Sequence, residues 1–134
     1  MFGSPGRFVD ADALLTGYLF DGLGVEVFPT VPSGEDWAET DPSFVVAGCS
    51  GGAGRDRLVL QRVDIVVEAF APTRVGAAEL ANAAAGLVEA MPGVRSGVRV
   101  YSAGLTVPRW FPYEGPFYPR FVAVGWLSIR LAHT

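Results

Sequence analysis

The sequence predicts an α+β fold, a mostly antiparallel sheet with two helices packed on one face in the order αβββαββ, and three observations carry that reading. From Arg57 to Ala71 the odd positions Val59, Val63, Ile65, Val67, Ala69 and Ala71 are apolar, while Arg62, Asp64 and Glu68 are even. That is the two-residue period of a strand buried on one side. The strand breaks at Pro72 into an alanine-rich helix, Thr73 to Met91. Leu80, Ala84, Leu87, Val88 and Met91 recur there at helical spacing, and Ala77 and Ala81 widen the stripe. A closing run, Phe121 to Leu131, again places Phe121, Ala123, Leu127, Ile129 and Leu131 on one face. One sheet face is therefore core, and the other is free to meet something.

The remaining elements follow in chain order. After a flexible start over about residues 1–9, Asp10 or Asp12 caps a first helix whose Leu14, Leu15, Tyr18 and Leu19 form a stripe up to Gly22. Gly24 releases the chain into a short strand, Val25 to Val31, which Pro29 and Pro32 mark as an edge. Ser33 to Pro42, with Glu35, Asp36, Glu39 and Asp41, breaks both periodicities and reads as a surface loop. Phe44 to Gly48 forms a strand, and Ser50 to Asp56 has the composition of a flexible hairpin tip leading into the long strand. Thr73 caps the second helix and Pro92-Gly93 ends it. Val98, Val100 and Ser102 open another strand. Pro108 to Pro119 then joins it to the last one as a stiff connection rich in aromatic surface.

At 134 residues the chain reads as a single domain, 1–134, large enough to bury roughly two thirds of its unfolded surface without a staple. Charged residues make up 18% of it, below the roughly 25% usual in soluble domains, so some apolar surface is reserved for a partner. A net charge of −4, a pI near 4.8 and arginines scattered singly argue against nucleic-acid binding. Lysine is absent, which removes Schiff-base and phosphate-loop chemistry. The apolar runs are too short to span a bilayer, no signal-peptide core opens the chain, and a single Cys49 fits a reducing, intracellular setting.

No catalytic, cofactor or metal site emerges. Gly51, Gly52 and Gly54 lack the Gly-Lys-Ser/Thr of a phosphate loop and precede a strand, so they read as a hairpin loop or one that orders on assembly. Cys49 and His133 alone cannot close a zinc site, and a penultimate histidine is a poor catalytic base. The four acids of the 33–42 segment match neither a calcium loop nor a glycosidase pair. They read as a solvated loop, with electrostatic pairing to a neighbouring subunit as the alternative. Trp110, Phe111, Tyr113, Phe117 and Tyr118 divide between core and partner contact, because neighbouring aromatics of an extended chain cannot both point inward. Arg62, Asp64 and Glu68 are either a solvated face with cross-strand pairs or a functional one.

The layout resembles the tail terminators of long-tailed, siphovirus-type bacteriophages, of which the lambda tail terminator is an example. The carrying residues are the helix Asp12 to Leu23 leading to Val25 to Pro32, the strand-to-helix join Val63 to Thr73, the alanine-rich helix and the strand Phe121 to Leu131. The resemblance covers most of the chain in layout and texture, and carries no signature motif. It implies a non-catalytic virion protein, assembled in the host cytoplasm, that forms a hexameric ring on the head-proximal end of the tail tube and stops tube polymerisation. The partners implied are the tail tube protein and a head-completion or connector protein, with DNA passing through the ring without specific binding. On that reading Arg55, Arg57, Trp110, Phe111, Tyr113, Phe117 and Tyr118 meet neighbouring subunits, tube or neck. Arg62, Asp64 and Glu68 approach the channel, where an acidic wall would limit sticking to DNA. The alternatives are a head-completion or connector neck protein, or a small ligand-binding or enzymatic α+β domain.

Overall fold

The computed structural model describes residues 10–32, 43–55, 61–111 and 119–131, with residues 51–55 and 131 described in backbone only. Helix α1 (Ala11–Leu23) starts where Asp10 accepts a hydrogen bond from Ala13 N at 3.1 Å. It stops where Gly24 turns left-handed at φ 72° and donates its N–H to Phe20 O. Of the two acidic cap candidates, then, Asp10 is the cap. The Asp12 carboxylate instead accepts the Cys49 N–H at 2.7 Å, tying the first turn of the helix to strand β2 (Phe44–Arg55).

Helix α2 (Arg74–Glu89) opens with Thr73 Oγ1 accepting the Gly76 N–H at 3.0 Å, as its sequence predicts. Its buried line is Ala77, Ala81, Ala84, Ala85 and Val88, with Leu80 and Leu87 half-buried on either side. Alanines at the centre let the helix axis lie close to the sheet, and the leucines fill the flanks. The C-terminal carbonyls are satisfied by Arg95, whose Nε donates to Met91 O at 3.0 Å and whose Nη2 donates to Ala90 O at 2.9 Å. Tyr18 joins the helices by donating its hydroxyl to Leu87 O at 2.5 Å.

Strands β1 (Glu26–Phe28), β2, β3 (Gln61–Phe70), β4 (Gly93–Arg95), β5 (Val98–Leu105), β6 (Arg109–Trp110) and β7 (Arg120–Leu131) form one sheet. Its order is β1-β2-β3-β7-β5-β4, with β6 also paired to β7. Both helices lie on one face. There Leu15 and Leu19 of α1, Ala84 and Val88 of α2, and Val45, Ile65, Val67, Leu127 and Ile129 of the sheet share one core. The class is α+β, as the sequence predicts, with β4 and β6 as additional short strands.

Four details differ from expectation. The edge strand β1 runs parallel to β2, so the chain crosses over between them rather than turning in a hairpin. Strand β2 does not end before a glycine tip. It continues to Arg55, paired to β3, through register shifts between Cys49 and Gly51 and between Gly51 and Gly54. The connection after Pro108 is in part a strand, since Arg109 and Trp110 pair with Val122 and Phe121 and extend the β5–β7 hairpin. Ser96 (φ 51°) and Gly97 (φ 76°) make a two-residue turn between β4 and β5, both in the left-handed region that such hairpins demand. The expected flexible start, the acidic 33–42 segment, Arg57, Val59, Tyr113, Phe117, Tyr118 and His133 lie outside the described residues.

Where β5 crosses β7, packing leaves no room for a side chain. A Cβ on Gly125 would run into the Gly104 carbonyl and stand 2.9 Å from Leu105 Cα, and neither backbone atom can give way. Gly17 in α1 has nothing within 4 Å. Gly125→Ala is therefore expected to lose at least about 2 kcal/mol of stability in urea unfolding. Gly17→Ala is expected to gain about 0.5–1 kcal/mol from helix propensity. Equal stabilities for the two variants would contradict the close strand crossing.

Candidate functional site

The helices cover one face of the sheet, and the alternation of β3 and β7 sends the other set of side chains to the opposite face. Register places Arg62 beside Ser128, Asp64 beside Trp126, Val66 beside Val124, Glu68 beside Val122 and Phe70 beside Arg120. The three candidate residues Arg62, Asp64 and Glu68 thus share a face, as predicted. The face is not uniform along its length.

At the β1 end it closes on itself. Phe70 stacks on Phe44 at 4.7 Å between ring centroids, Phe44 meets Phe28 edge-on at 5.8 Å, and Val46 and Val31 complete a second, small apolar cluster. Next to it Glu68 pairs with Arg120 at 2.7 Å, and Arg120 Nε donates to Phe111 O at 2.8 Å. Glu68 is therefore a paired structural carboxylate. Both members are largely buried, so the pair fixes the orientation of the 109–111 segment rather than projecting charge.

Farther along, the face opens. Trp126 lies flat across Gly104, where a Cβ would come within 2.5 Å of its ring, and its indole N–H reaches Ser102 Oγ at 3.4 Å. The Arg62 guanidinium stands 5.8 Å from the Trp126 ring, and that of Arg130 stands 5.4 Å from Tyr101, the extra residue of a β5 bulge. Arg99 pairs directly opposite Arg130, and Val124, farther along β7 beside Val66, is 48% exposed. Among the described residues neither arginine has a carboxylate within ion-pair distance. With Arg109 and Arg120 added, arginines on this face outnumber Asp64, Glu68 and the edge residue Glu26. The acidic wall expected of Arg62, Asp64 and Glu68 is therefore not what the sheet presents, because β5, β6 and β7 contribute arginines and no acids to that face.

Trp110 and Phe111, expected to divide between core and contact, do part company. Trp110 turns to the helix side, 5.5 Å from Phe121 and 4.5 Å beneath the Arg74 guanidinium, and stays 37% exposed. Phe111 turns to the open face, where Arg120 and Arg109 lie 4.9 Å and 5.9 Å from its ring. Arg55 is placed at the end of β2 through its backbone, opposite Gln61. Sequence reasoning missed Trp126, Arg99, Arg130 and Tyr101. The even positions of β7 were readable from the same alternation that marks its core face, whereas their meeting with Arg99 depends on β5 lying beside β7.

Cys49 and Asp12 form the other polar constellation. Burial, reinforced by the Asp12 and Asp10 carboxylates, pushes the Cys49 thiol up from 9.0 to about 12, which makes it a poor nucleophile. Among the described residues no three of His, Cys, Asp and Glu gather to hold a metal ion, and no helix is long and apolar enough to cross a membrane. The class defined is an α+β sheet domain with one face helix-covered and one face largely open. No protein-family model matches the chain, and no curated protein is significantly similar to it.

A thiol whose pKa is raised in the folded state holds its proton where the unfolded chain has lost it. Its contribution to stability is intact below pH 9 and is lost as pH rises from there toward 12. Urea midpoints are expected to fall across that window in the wild type and to fall less in Cys49→Ala. Parallel curves would refute the shift. Asp12→Asn should speed alkylation of Cys49 only modestly, since burial is the larger cause.

Proposed function

We propose that this chain is a structural subunit of a ring, the tail terminator that caps the head-proximal end of a bacteriophage tail tube and offers a surface for joining to the head. The observation that supports this best is the two-layer build: helices cover one sheet face, while much of the other presents Val124, Tyr101 and arginines to the outside beside a half-buried Trp126. A subunit of an assembly uses such surface against its neighbours, with exposed aromatic and arginine side chains as anchors. The layout of Val25 to Pro32, Val63 to Thr73 and the alanine-rich helix, which resembles that of tail terminators, directs the reading to this class. A cap of this kind needs one face that matches the tube and another that refuses a further copy, because heterologous interfaces otherwise keep growing. The chemistry asked of it is contact, not turnover.

Negative-stain electron microscopy of the concentrated protein, classified for rotational symmetry, is expected to show six-fold rings with an open centre. Uniform small particles, with no rings even when tail tube protein is supplied, would count against the proposal. Trp110→Ala is expected to reduce ring yield while leaving the circular dichroism spectrum of the folded chain, since its side chain is 37% exposed and meets Arg74 and Phe121 at the margin of the sheet. A variant that fails to fold would assign Trp110 to the core.

A further inference from the structure

The charges of the described residues are unevenly divided between the layers, arginines predominating on the open sheet face and acids on the helix layer. The sheet face gathers Arg62, Arg99 and Arg130 at the end where β7 finishes, and Arg99 opposes Arg130 directly across the strand pair. Like charges in that position repel unless an anion joins them. On the helix layer Asp21, Glu79 and Glu89 are exposed, and among the described residues none has a cation within ion-pair distance. Asp21 and Glu89 sit in the last turns of α1 and α2, where the helix dipole disfavours an anion, and the nearby Arg95 guanidinium is engaged by the Ala90 and Met91 carbonyls rather than by either acid. The two ends are neighbours, because a Cβ on Gly22 would meet Leu87 Cδ1 at 2.5 Å. Two exposed acidic residues without an ion pair of their own therefore lie near each other at the ends of the helices.

Both patches are locally unfavourable in the isolated chain, and each supplies what the other lacks. The outer surface of α2 is also low, with Asn82, Ala83 and Gly86 exposed and nothing within 4 Å of a Cβ on Gly86, so a sheet can lie close to it. We propose that the sheet face of one copy, through Arg62, Arg99 and Arg130, packs on the helix layer of a second copy, through Asp21, Glu79 and Glu89. This contact is head-to-tail, it rests on the ring reading above, and it gives Arg62 a neighbouring subunit rather than the channel. Layers then alternate sheet, helix, sheet, helix around the assembly, and the series closes where the rotation between copies does.

The experiment is sedimentation velocity on two charge-reversal variants, R62E/R99E and D21R/E89R, alone and mixed. Urea unfolding of D21R/E89R, compared with the wild type, separates loss of association from loss of fold. Each variant alone is expected to associate at least about tenfold more weakly than the wild type. An equimolar mixture is expected to recover assembly, since each acidic sheet then meets a basic helix layer. Rings that persist in either variant alone, or a mixture that does not recover, would overturn the contact while leaving the ring reading standing. A wild type that stays monomeric would overturn both. A short DNA duplex that binds the wild type, dissolves its rings and ignores R62E/R99E would give the face to nucleic acid and overturn the contact as well.

Discussion

Strand β3 is the constraint on which the rest of the structure depends. It lies in the middle of the sheet with β2 on one side and β7 on the other, so its backbone hydrogen bonds are spent on both edges and its side chains alone decide which face is interior. Ile65, Val67 and Ala69 are buried on one face, and each large residue of such a row contributes about 1.5–3 kcal/mol. Once that row faces one way, the helices have a single place to lie. The register with β7 then carries Ala123, Leu127 and Ile129 to the same side.

The opposite face has no helix layer, and its side chains show how it manages without one. At the β1 end three phenylalanines cover one another. Elsewhere the guanidinium groups of Arg62, Arg130 and Arg120 stand 5.8, 5.4 and 4.9 Å from the rings of Trp126, Tyr101 and Phe111. Small residues make this geometry possible. Gly125 admits the β5 backbone and Gly104 admits the flat Trp126 ring, so the aromatic surface is held rigidly against the sheet. A rigid aromatic plane edged by guanidinium groups has little side-chain entropy left to lose when a partner arrives.

What the sequence made legible was whatever depends on neighbours along the chain. The alternation of β3, the Thr73 cap, the alanine stripe of α2 and the apolar face of β7 are all local patterns, and all are present. Choosing between Asp10 and Asp12 as cap required knowing that Asp12 reaches Cys49 on another element. The glycine-rich half of β2 has no side-chain alternation to read, so only its pairing with β3 makes it a strand. The parallel seating of β1 and the meeting of Arg99 with Arg130 are facts of strand order, to which single-chain periodicity is blind. The Ser96-Gly97 turn carried a local signal, but a three-residue strand before it holds too little pattern to reveal a hairpin.

Whole-chain charge illustrates the same limit with a consequence for function. A net charge of −4 reads as a uniformly acidic protein, yet among the described residues acids predominate on the helix layer and arginines on the open sheet face. Two unlike faces cannot both be satisfied by a two-fold contact, which sets each patch against its own copy, arginine on arginine or acid on acid. A head-to-tail contact sets arginine on acid at every junction, leaves no junction distinct from another, and terminates only by closing. The uneven division of charge between the layers is thus what supports the proposed ring, because it would make the order of subunits directional before any of them meet.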